Sequence, residues 1–411
     1  MTVVVINTGT ELLLGDVLNS HLAFIARAIF PLGLRVERQE AVPDGPSIRI
    51  ALAESLDQAR IIFITGGLGP TTDDITREIV AEFLGLELRH DPNVMAAIAD
   101  RASRRGFKLT DRTSRQANVP QGATVLPNEH GSAPGLYLAA NVSRLKKSPH
   151  LFLLPGPPRE LQPMFQKSVL PILRKIVPRE SAIDRRVYRI VGMGESLVED
   201  AVGESLFELG GIEIGYCARP GEVDLRIIGE SSMLDRAETI IANKLGKTVF
   251  SKADESLEEV VVRLLTQKKQ TLAVAESCTG GFLAHRITNV PGASNVFLAG
   301  YVTYSNEAKT EMLGVEPQLI STRGAVSEEV ARSMAECARR RANSTFALAT
   351  TGIAGPGGGT KEKPVGTLFV ALSADNAQTQ IRNLFFPDDR PTFKELGTQA
   401  ALEMLRRSLL G

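Results

Sequence analysis

The residues best suited to chemistry lie in the C-terminal third of the chain, where a serine precedes a cysteine, a threonine and two glycines. The segment Ala-Glu-Ser-Cys-Thr-Gly-Gly (275–281) follows an apolar, strand-like run and opens a predicted helix. Backbone N–H groups at a helix N-terminus favour negative charge, so they could hold a phosphate or the oxyanion formed when Ser277 attacks a carbonyl. The structural alternative is that Ser277 or Thr279 only caps the helix.

A lysine and an arginine further along the chain could complete such a site. Lys309 ends the segment Tyr301-Val-Thr-Tyr304-Ser-Asn-Glu-Ala-Lys309, after another predicted strand. A lysine serves as a general base when burial or a nearby cation lowers its pKa; otherwise it is an ordinary surface group. The glycine-rich segment 350–359 would let backbone amides approach an anion, or it forms a plain flexible loop. Arg390 could clamp a phosphate.

Three glycine-rich segments near the N-terminus suggest a second site. They span residues 8–15, 65–77 and 128–135. Their glycines would expose backbone amides to a phosphate, and Glu11 and Asp74 would meet a divalent metal such as Mg²⁺ from separate loops. The alternative is that Asp73 and Asp74 merely cap a helix that begins near Ile75.

Strands and helices alternate around these segments, which predicts a mainly parallel sheet covered by helices. Strands are predicted at 3–6, 34–42, 60–65 and 151–154, and helices at 17–33, 47–57 and about 160–176. Ligands of such sheets bind beyond the carboxyl ends of the strands, and the glycine-rich loops lie at those ends.

Two further domains are predicted. A middle segment combines strands at 188–191 and 225–229 with a helix at 194–209, which is typical of a small α+β domain. The α/β alternation then resumes. Helices are predicted at 254–269, 280–288, 326–341 and 393–410, and strands at 271–275, 296–303, 345–350, 366–373 and 380–386. We therefore divide the chain into residues 1–172, 173–252 and 253–411.

Composition excludes several other classes of protein. Lys+Arg and Asp+Glu balance at 47 each, and the chain has no tryptophan and five tyrosines, so no strong nucleic-acid signal exists. The three cysteines form no Cys-x-x-Cys pair, which argues against a disulfide framework or a structural zinc site. No apolar run reaches the roughly 18 residues of a membrane span, and the N-terminus lacks the features of a secretory signal. We expect a cytoplasmic protein with no membrane partner.

Four motifs occur in a fixed order in the C-terminal third: Glu-Ser-Cys-Thr-Gly-Gly, Tyr-Ser-Asn-Glu-Ala-Lys, Gly-Ile-Ala-Gly-Pro-Gly-Gly and Lys-Pro-Val-Gly-Thr. Together they closely resemble the C-terminal domain of the CinA (competence/damage-inducible protein A) family, which also occurs alone as nicotinamide mononucleotide deamidase. The resemblance implies a serine–lysine dyad without a cofactor, in which Ser277 attacks the carboxamide, Lys309 takes and returns the proton, and Tyr304 assists. The residues expected to hold the substrate are Thr279, Gly280, Thr351, Gly352, Gly355 and Arg390.

The N-terminal segments resemble the molybdopterin-binding-like domain of the same family, and Gly192-Met-Gly-Glu-Ser resembles the start of its KH-type middle domain. The resemblance implies an N-terminal αβα sandwich, a small KH-type α+β domain, a C-terminal αβα domain and a homodimer. It also implies metal-dependent ADP-ribose pyrophosphatase activity, which gives AMP and ribose 5-phosphate. The expected nucleotide-binding residues are Gly9, Gly66, Gly67, Gly69, Thr71, Asn128 and Gly131, and the expected metal ligands are Glu11 and Asp74.

Two departures from the family pattern lie near the expected nucleotide pocket: Asn19-Ser-His21 stands where the family often has Asn-x-Asn, and Pro43 stands where glycine usually precedes Asp44. Two functions therefore stay open. The first is a bifunctional pyridine-nucleotide salvage hydrolase. The second is a pterin- or nucleotide-binding protein that assists competence or DNA repair without N-terminal catalysis. We infer no RNA binding, because the middle domain has no Gly-x-x-Gly loop with basic flanks.

Overall fold

The computed structural model describes residues 1–106, 108–143, 147–178, 184–375 and 377–411. The chain divides into two compact units, Met1–Ile183 and Asp184–Gly411. A search of the described helices finds none with the length and apolar character needed to cross a membrane.

The first unit is built on a mixed sheet. Its strands are β1 (Thr2–Thr8), β2 (Arg35–Val42), β3 (Ile61–Thr65), β4 (Leu88–His90), β5 (Asn118–Pro120), β6 (Thr124–Leu126), β7 (Gly135–Leu138) and β8 (His150–Leu154). Six of them form one sheet in the order β2-β1-β3-β8-β7-β6, and β4 pairs with β5. The β2-β1-β3-β8 part is parallel, whereas β7 and β6 run antiparallel to their neighbours. This is the mainly parallel sheet predicted from the sequence.

Helices cover both faces of this sheet. They are α1 (Thr10–Leu14), α2 (His21–Ile29), α3 (Ser47–Leu56), α4 (Thr76–Leu84), α5 (Pro92–Arg105), α6 (Asp111–Ser114), α7 (Pro158–Met164) and α8 (Leu170–Ile176). β1 is buried on both faces: Val4 and Ile6 belong to one apolar core, and Val3 and Val5 to the other. A central parallel strand between two helical layers needs such an unbroken apolar run.

The prediction of one helix over residues 17–33 is wrong. The left-handed Gly15 ends α1, and Val17 and Leu18 are exposed before α2 begins at His21. A separate 3₁₀ turn (Phe30–Leu32) then precedes Gly33. The apolar spacing predicted a helix here, but Val17 and Leu18 lie in an exposed segment between α1 and α2.

The second unit begins with a small antiparallel sheet. Its elements are β9 (Asp184–Val191), α9 (Glu195–Leu209), β10 (Ile212–Arg219), β11 (Glu222–Gly229), α10 (Ser231–Leu245) and β12 (Val249–Ser251). The strand order is β10-β11-β9-β12, and apolar residues of α9 and α10 share one core with β9 and β11. The predicted α+β character is thus observed, although β10, α10 and β12 were not predicted.

The rest of the second unit is a three-layer α/β fold. Its elements are α11 (Leu257–Lys268), β13 (Leu272–Glu276), α12 (Phe282–Thr288), β14 (Phe297–Val302), α13 (Asn306–Ala308), α14 (Pro317–Arg323), α15 (Glu328–Ala342), β15 (Phe346–Gly352), β16 (Thr367–Ala374), β17 (Gln380–Phe385) and α16 (Arg390–Leu410). The sheet order is β14-β13-β15-β16-β17. The first three strands are parallel and the last two antiparallel. The carboxyl ends of the parallel strands therefore meet at one edge.

Candidate active site

The carboxyl edge of the C-terminal sheet joins the serine and lysine segments. β13 ends at Glu276, which is the register partner of Val302 at the end of β14. The ladder continues past both strands: the Ser277 amide donates to the Thr350 carbonyl at 2.9 Å, and the Thr303 amide donates to the Glu276 carbonyl at 2.8 Å. Backbone hydrogen bonds to both neighbouring strands thus fix the position of Ser277.

Lys309 reaches this edge from the helical segment after β14. Its Nζ atom lies 3.1 Å from Oγ of Ser277 and donates to the carbonyl of Thr303 at 2.9 Å. The carbonyls of Tyr304 and Ser305 lie 3.4 Å and 3.5 Å from the same atom. Lys309 is 1% exposed and Ser277 is 9% exposed. Lys309 is therefore a buried side chain beside the serine and not a surface group.

This environment suits Lys309 to proton transfer. Burial lowers the pKa of Lys309, and the negative charge of Glu307 acts in the opposite direction. A neutral amine has two N–H donors and one lone pair. If the two donors bind the surrounding carbonyls, the lone pair can accept the hydroxyl proton of Ser277. The arrangement can therefore generate an activated serine nucleophile.

A buried carboxylate organises the turn that carries Ser277. Glu276 is fully buried and accepts hydrogen bonds from the Gly281 and Leu283 amides at 3.0 Å, the Ala284 amide at 2.8 Å and the Thr279 hydroxyl at 2.6 Å. The N-terminal amides of α12 are thus already occupied, and the expectation that they bind a substrate anion is wrong for these three. Ser277 does not cap the helix either, because the N-cap residue is Gly281.

Two other amides lie directly beside the nucleophile. Within the described part of the chain, the amides of Cys278 and Thr279 donate to no oxygen acceptor. Successive N–H groups next to a nucleophilic serine are a common way to stabilise the oxyanion of acyl transfer. Cys278 itself is a poor nucleophile, because burial raises the pKa of its thiol to about 12.

Some of the predicted substrate-binding residues are buried and others are exposed. Thr279 is fully buried, and its hydroxyl also contacts that of Thr350 at 2.7 Å, so its side chain supports the turn. The buried Thr351 hydroxyl donates to the Ala325 carbonyl at 2.8 Å. A Cβ atom at Gly352 would lie 2.6 Å from the Thr367 carbonyl oxygen, so close packing within the sheet requires glycine there.

Three of the predicted residues form one connected group, in which Arg390 and Tyr304 are exposed and Gly355 is buried. Arg390, the first residue of α16, donates to the Tyr304 hydroxyl at 2.7 Å and to the Gly355 carbonyl at 3.0 Å. Tyr304 is 60% exposed. Gly280 is also exposed, and a Cβ atom added at this position would lie 3.8 Å from Nζ of Lys394. These contacts hold the Arg390 side chain against the loop that follows β15.

In the first unit, the glycine-rich loops after β1 and β3 border a cavity of about 380 Å³. Its lining includes the predicted residues Gly9, Glu11, Gly66, Gly67, Gly69 and Asp74. The backbone needs glycine at two of these positions: Gly66 has φ +101 and Gly67 has φ +66, and a Cβ at Gly67 would lie 2.0 Å from the Thr76 hydroxyl oxygen. Packing against Thr8 and Thr76 within the protein therefore requires glycine at these two positions.

Carboxylates dominate the rest of this cavity. Beside Glu11 and Asp74 it is lined by Asp44, Asp73 and Glu160. Asp74 is oriented by Thr71, whose amide donates to Oδ2 at 2.9 Å and whose hydroxyl donates to the same atom. Neither aspartate caps α4 through its side chain. The sequence did not identify Asp44 or Glu160, because single carboxylates in separate loops give no pattern.

The carboxylates do not form a complete protein cage for an ion. The described residues contain no group of three or more His, Cys, Asp and Glu side chains placed to hold a metal. Mg²⁺ is usually bound through one or two carboxylates together with substrate phosphates and water. The carboxylates of Glu11 and Asp74, which both line this cavity, fit that mode of binding.

Asn128 has a structural part in this region. Its amide nitrogen donates to the Ala133 carbonyl and to Glu160 Oε2, both at 2.8 Å, and its amide oxygen accepts from the His130 amide at 3.0 Å and the Gly131 amide at 2.7 Å. Both donors and both lone pairs are in use. The side chain therefore holds Glu160 and the 128–133 loop in place instead of offering a hydrogen bond to a nucleotide.

Comparison with known proteins accounts for the whole chain. Residues 4–175 match the "Probable molybdopterin binding domain" model, residues 185–251 the "Damage-inducible protein CinA KH domain" model, and residues 254–409 the "CinA C-terminal domain" model. The chain has the three-domain layout predicted from its sequence.

Two relatives illustrate the similarity. The "CinA-like protein" of Akkermansia muciniphila is 45% identical over 397 residues, which cover 97% of this chain and 95% of that protein. The crystal structure of the competence/damage inducible protein CihA from Agrobacterium tumefaciens is 38% identical over 38% of this chain and 98% of that chain, with a TM-score of 0.36. The chain belongs to the CinA family.

Proposed function

We propose that the C-terminal domain is an amidohydrolase that converts nicotinamide mononucleotide into nicotinic acid mononucleotide and ammonia. The observation that carries this proposal is the contact between the buried Nζ of Lys309 and Oγ of Ser277. A buried lysine beside a serine, with the Cys278 and Thr279 amides next to it, supports acyl transfer better than simple binding.

In the proposed reaction, Oγ of Ser277 attacks the carboxamide carbon and its proton passes to Lys309. The amides of Cys278 and Thr279 would stabilise the oxyanion. Lys309 then returns the proton to the leaving nitrogen, ammonia departs, and an ester to Ser277 is formed. Water attacks this ester with Lys309 as base, which releases the carboxylic acid and restores the serine.

The substrate is proposed from the family resemblance and from the residues around the dyad. Arg390 offers a charge-assisted contact to the 5′-phosphate, and the loop with Gly355 would lie against the ribose. Tyr304 would orient the arginine through the hydrogen bond between them. The chemistry needs no metal or organic cofactor in this domain.

The test is ammonia release by the full chain from three related amides: nicotinamide mononucleotide, nicotinamide riboside and nicotinamide. We expect release from the mononucleotide, and release from the other two to be at least tenfold less efficient, because they lack the phosphate. Release from none of the three would reject the deamidase. Equal release from all three would reject the phosphate contact but keep the amidohydrolase.

For the N-terminal domain we propose metal-dependent cleavage of ADP-ribose to AMP and ribose 5-phosphate. The supporting observation is the cavity whose lining combines glycine-rich loops with the carboxylates of Glu11 and Asp74. A divalent metal bound there would offset negative charge on the diphosphate. Thr71 would keep Asp74 turned toward the cavity. The alternative is a domain that binds a pterin or nucleotide without cleaving it.

Cleavage of ADP-ribose by the unmodified chain separates these alternatives, and a pair of glycine variants tests the metal site. A Cβ at Gly69 would lie 2.5 Å from Oδ2 of Asp74, whereas a Cβ at Gly156 would make only an ordinary contact of 3.6 Å with Gly66. We expect Gly69→Ala to raise the Mg²⁺ concentration needed for half-maximal cleavage, Asp74→Ala to abolish cleavage, and Gly156→Ala to change little. Full cleavage by Asp74→Ala would reject the metal assignment, and no cleavage by the unmodified chain would favour the binding protein.

A further inference from the structure

Two more cavities adjoin the carboxylate-lined cavity of the first unit. Their volumes are about 310 Å³ and 640 Å³. Ser132 lines all three cavities, and Glu160 lines both the carboxylate-lined cavity and the smaller neighbour. The three spaces therefore adjoin one another at Ser132, and we refer to them together as the groove.

The far part of this groove is strongly cationic. Five arginine and lysine side chains line it. Arg104 is paired with Asp100, and we call the other four the basic cluster: Arg101, Arg105, Lys108 and Arg159. Arg101 is held in a fixed orientation, because its guanidinium donates to the Glu129 carbonyl at 3.0 Å and to the His130 carbonyl. The other three are exposed, and none of them makes an ion pair or side-chain hydrogen bond with another described residue.

The acidic residues near the basic cluster already have partners. Asp100 pairs with Arg104 at 2.8 Å, Glu129 pairs with Lys167, Asp91 caps α5 by accepting from the Asn93 amide at 2.8 Å, and Glu160 accepts from Asn128 at 2.8 Å. Two of these acids are paired with cations outside the basic cluster, and Glu160 is the carboxylate whose charge acts on Arg101. Within the described residues, one carboxylate therefore faces four basic side chains. Like charges brought together without a counterion raise the energy of the folded protein, unless a bound anion relieves the repulsion.

The pKa of Arg101 reflects this repulsion between like charges. The pKa of Arg101 is lowered, first by burial and then by the charge of Arg105, with a smaller effect of Arg159 in the same direction. Glu160 acts in the opposite direction, but it stands at the boundary with the carboxylate-lined cavity. The groove therefore has carboxylate oxygens that could bind a cation at one end and arginine side chains that could bind an anion at the other.

We infer that the N-terminal site takes nucleotides that carry a phosphomonoester in addition to their diphosphate, and that the basic cluster binds this second anion. The inference rests on the proposed nucleotide site and narrows its substrate class. The diphosphate would occupy the glycine and carboxylate end with its metal. The phosphomonoester would meet Arg105, Lys108 and Arg159 around the oriented Arg101, since arginine binds phosphate through paired N–H donors.

Matched ligand pairs test this inference. ADP-ribose 2′-phosphate is compared with ADP-ribose, and coenzyme A with dephospho-coenzyme A, because each pair differs by one phosphomonoester. Dissociation constants are measured by titration calorimetry on the full chain with Mg²⁺ and with the non-hydrolysable methylene analogue of each diphosphate, so that the metal is present and binding is read without hydrolysis. We expect at least one phosphorylated member to bind about tenfold or more tightly than its partner.

Two variants assign the effect to the cluster. The double change Arg105→Gln with Arg159→Gln should remove the preference for the phosphorylated ligand and leave the affinity for its partner nearly unchanged. Arg104→Gln is the matched control, because this arginine lies on the same helix but is already paired with Asp100. It should keep the preference.

Equal affinities within both pairs, or a preference that survives the double change, would overturn the inference. Loss of ADP-ribose cleavage alone would not, because the readout is binding. Conversely, a chain that cleaves ADP-ribose but shows no such preference would keep the proposed pyrophosphatase and reject the basic cluster as a phosphate site.

Discussion

The Nζ atom of Lys309 lies 3.1 Å from Oγ of Ser277 and is enclosed by backbone carbonyls of the segment that precedes it. Carbonyl oxygens stabilise an ammonium group, whereas burial disfavours it, and here burial is the larger effect because the pKa of Lys309 is lowered. The lysine is therefore held where it can exchange a proton with the serine.

This relationship predicts a pH dependence. Lys309 accepts a proton only when neutral, so kcat/KM for ammonia release should fall as the pH drops through its lowered pKa and reach a plateau above it. The half-maximal rate should occur below the pKa of about 10.4 of an ordinary lysine. A profile of kcat/KM from about pH 6 to 10 measures this.

Glu307 provides the control for the pH profile. Its charge raises the pKa of Lys309, so Glu307→Gln should move the half-maximal rate to lower pH without abolishing activity. A half-maximal point at the ordinary lysine value, or a rate independent of pH, would be inconsistent with a lysine base.

The neighbouring cysteine should be dispensable. Cys278 is buried and burial raises the pKa of its thiol to about 12, whereas Cys217 is exposed. Iodoacetamide should therefore modify Cys217 in the native chain and leave Cys278 and the rate of ammonia release unchanged. Peptide mass spectrometry identifies the modified residue. Inactivation that accompanies modification of Cys278 would point to a thiol nucleophile instead of Ser277.

The buried carboxylate beneath the nucleophile should matter for stability. Glu276→Gln would replace one acceptor oxygen by an NH₂ group that faces amide donors. Loss of charge-assisted hydrogen bonds in the interior costs about 3 kcal/mol, which corresponds to a fall of roughly 6 to 12 °C in the unfolding midpoint. Circular dichroism measures the midpoint. Glu307→Gln, at an exposed position, should leave it unchanged, and an equal midpoint for both variants would show that Glu276 is not a structural anchor.

The phosphate contact predicts a change in substrate preference. Arg390→Gln should lower kcat/KM for nicotinamide mononucleotide by about 10- to 100-fold, because a charge-assisted contact is lost. It should have little effect with nicotinamide riboside, which has no phosphate. Steady-state kinetics with both substrates decide the point. An equal loss with both would mean that Arg390 supports the loop around Gly355 and does not bind phosphate.

Much of the fold could be predicted from local patterns. β1, β3 and β13 are unbroken runs of buried apolar residues, and such runs are readable because both faces of a central strand are covered. The residues between α4 and β8 were not predicted, since short strands such as β6 and β7 show little periodicity. The predicted helix over 17–33 failed because Val17 and Leu18 lie in the exposed segment between α1 and α2.

The site was predictable in its parts but not in its energetics. The sequence placed Ser277 and Lys309 at neighbouring strand ends. Burial of Lys309 depends on residues 303–305 wrapping around it, which no local pattern reveals. The support from Glu276 was missed for the same reason: a glutamate at a strand end is usually exposed, and only the tertiary structure turns it under α12.

The account depends most directly on the serine–lysine pair, and one measurement tests it: ammonia release from nicotinamide mononucleotide by Ser277→Ala and Lys309→Ala. Circular dichroism first verifies that both variants are folded, and Asp74→Ala in the N-terminal domain serves as the control. We predict that each C-terminal variant loses the activity and that Asp74→Ala retains it in full. Near-full ammonia release by folded Lys309→Ala would contradict the dyad.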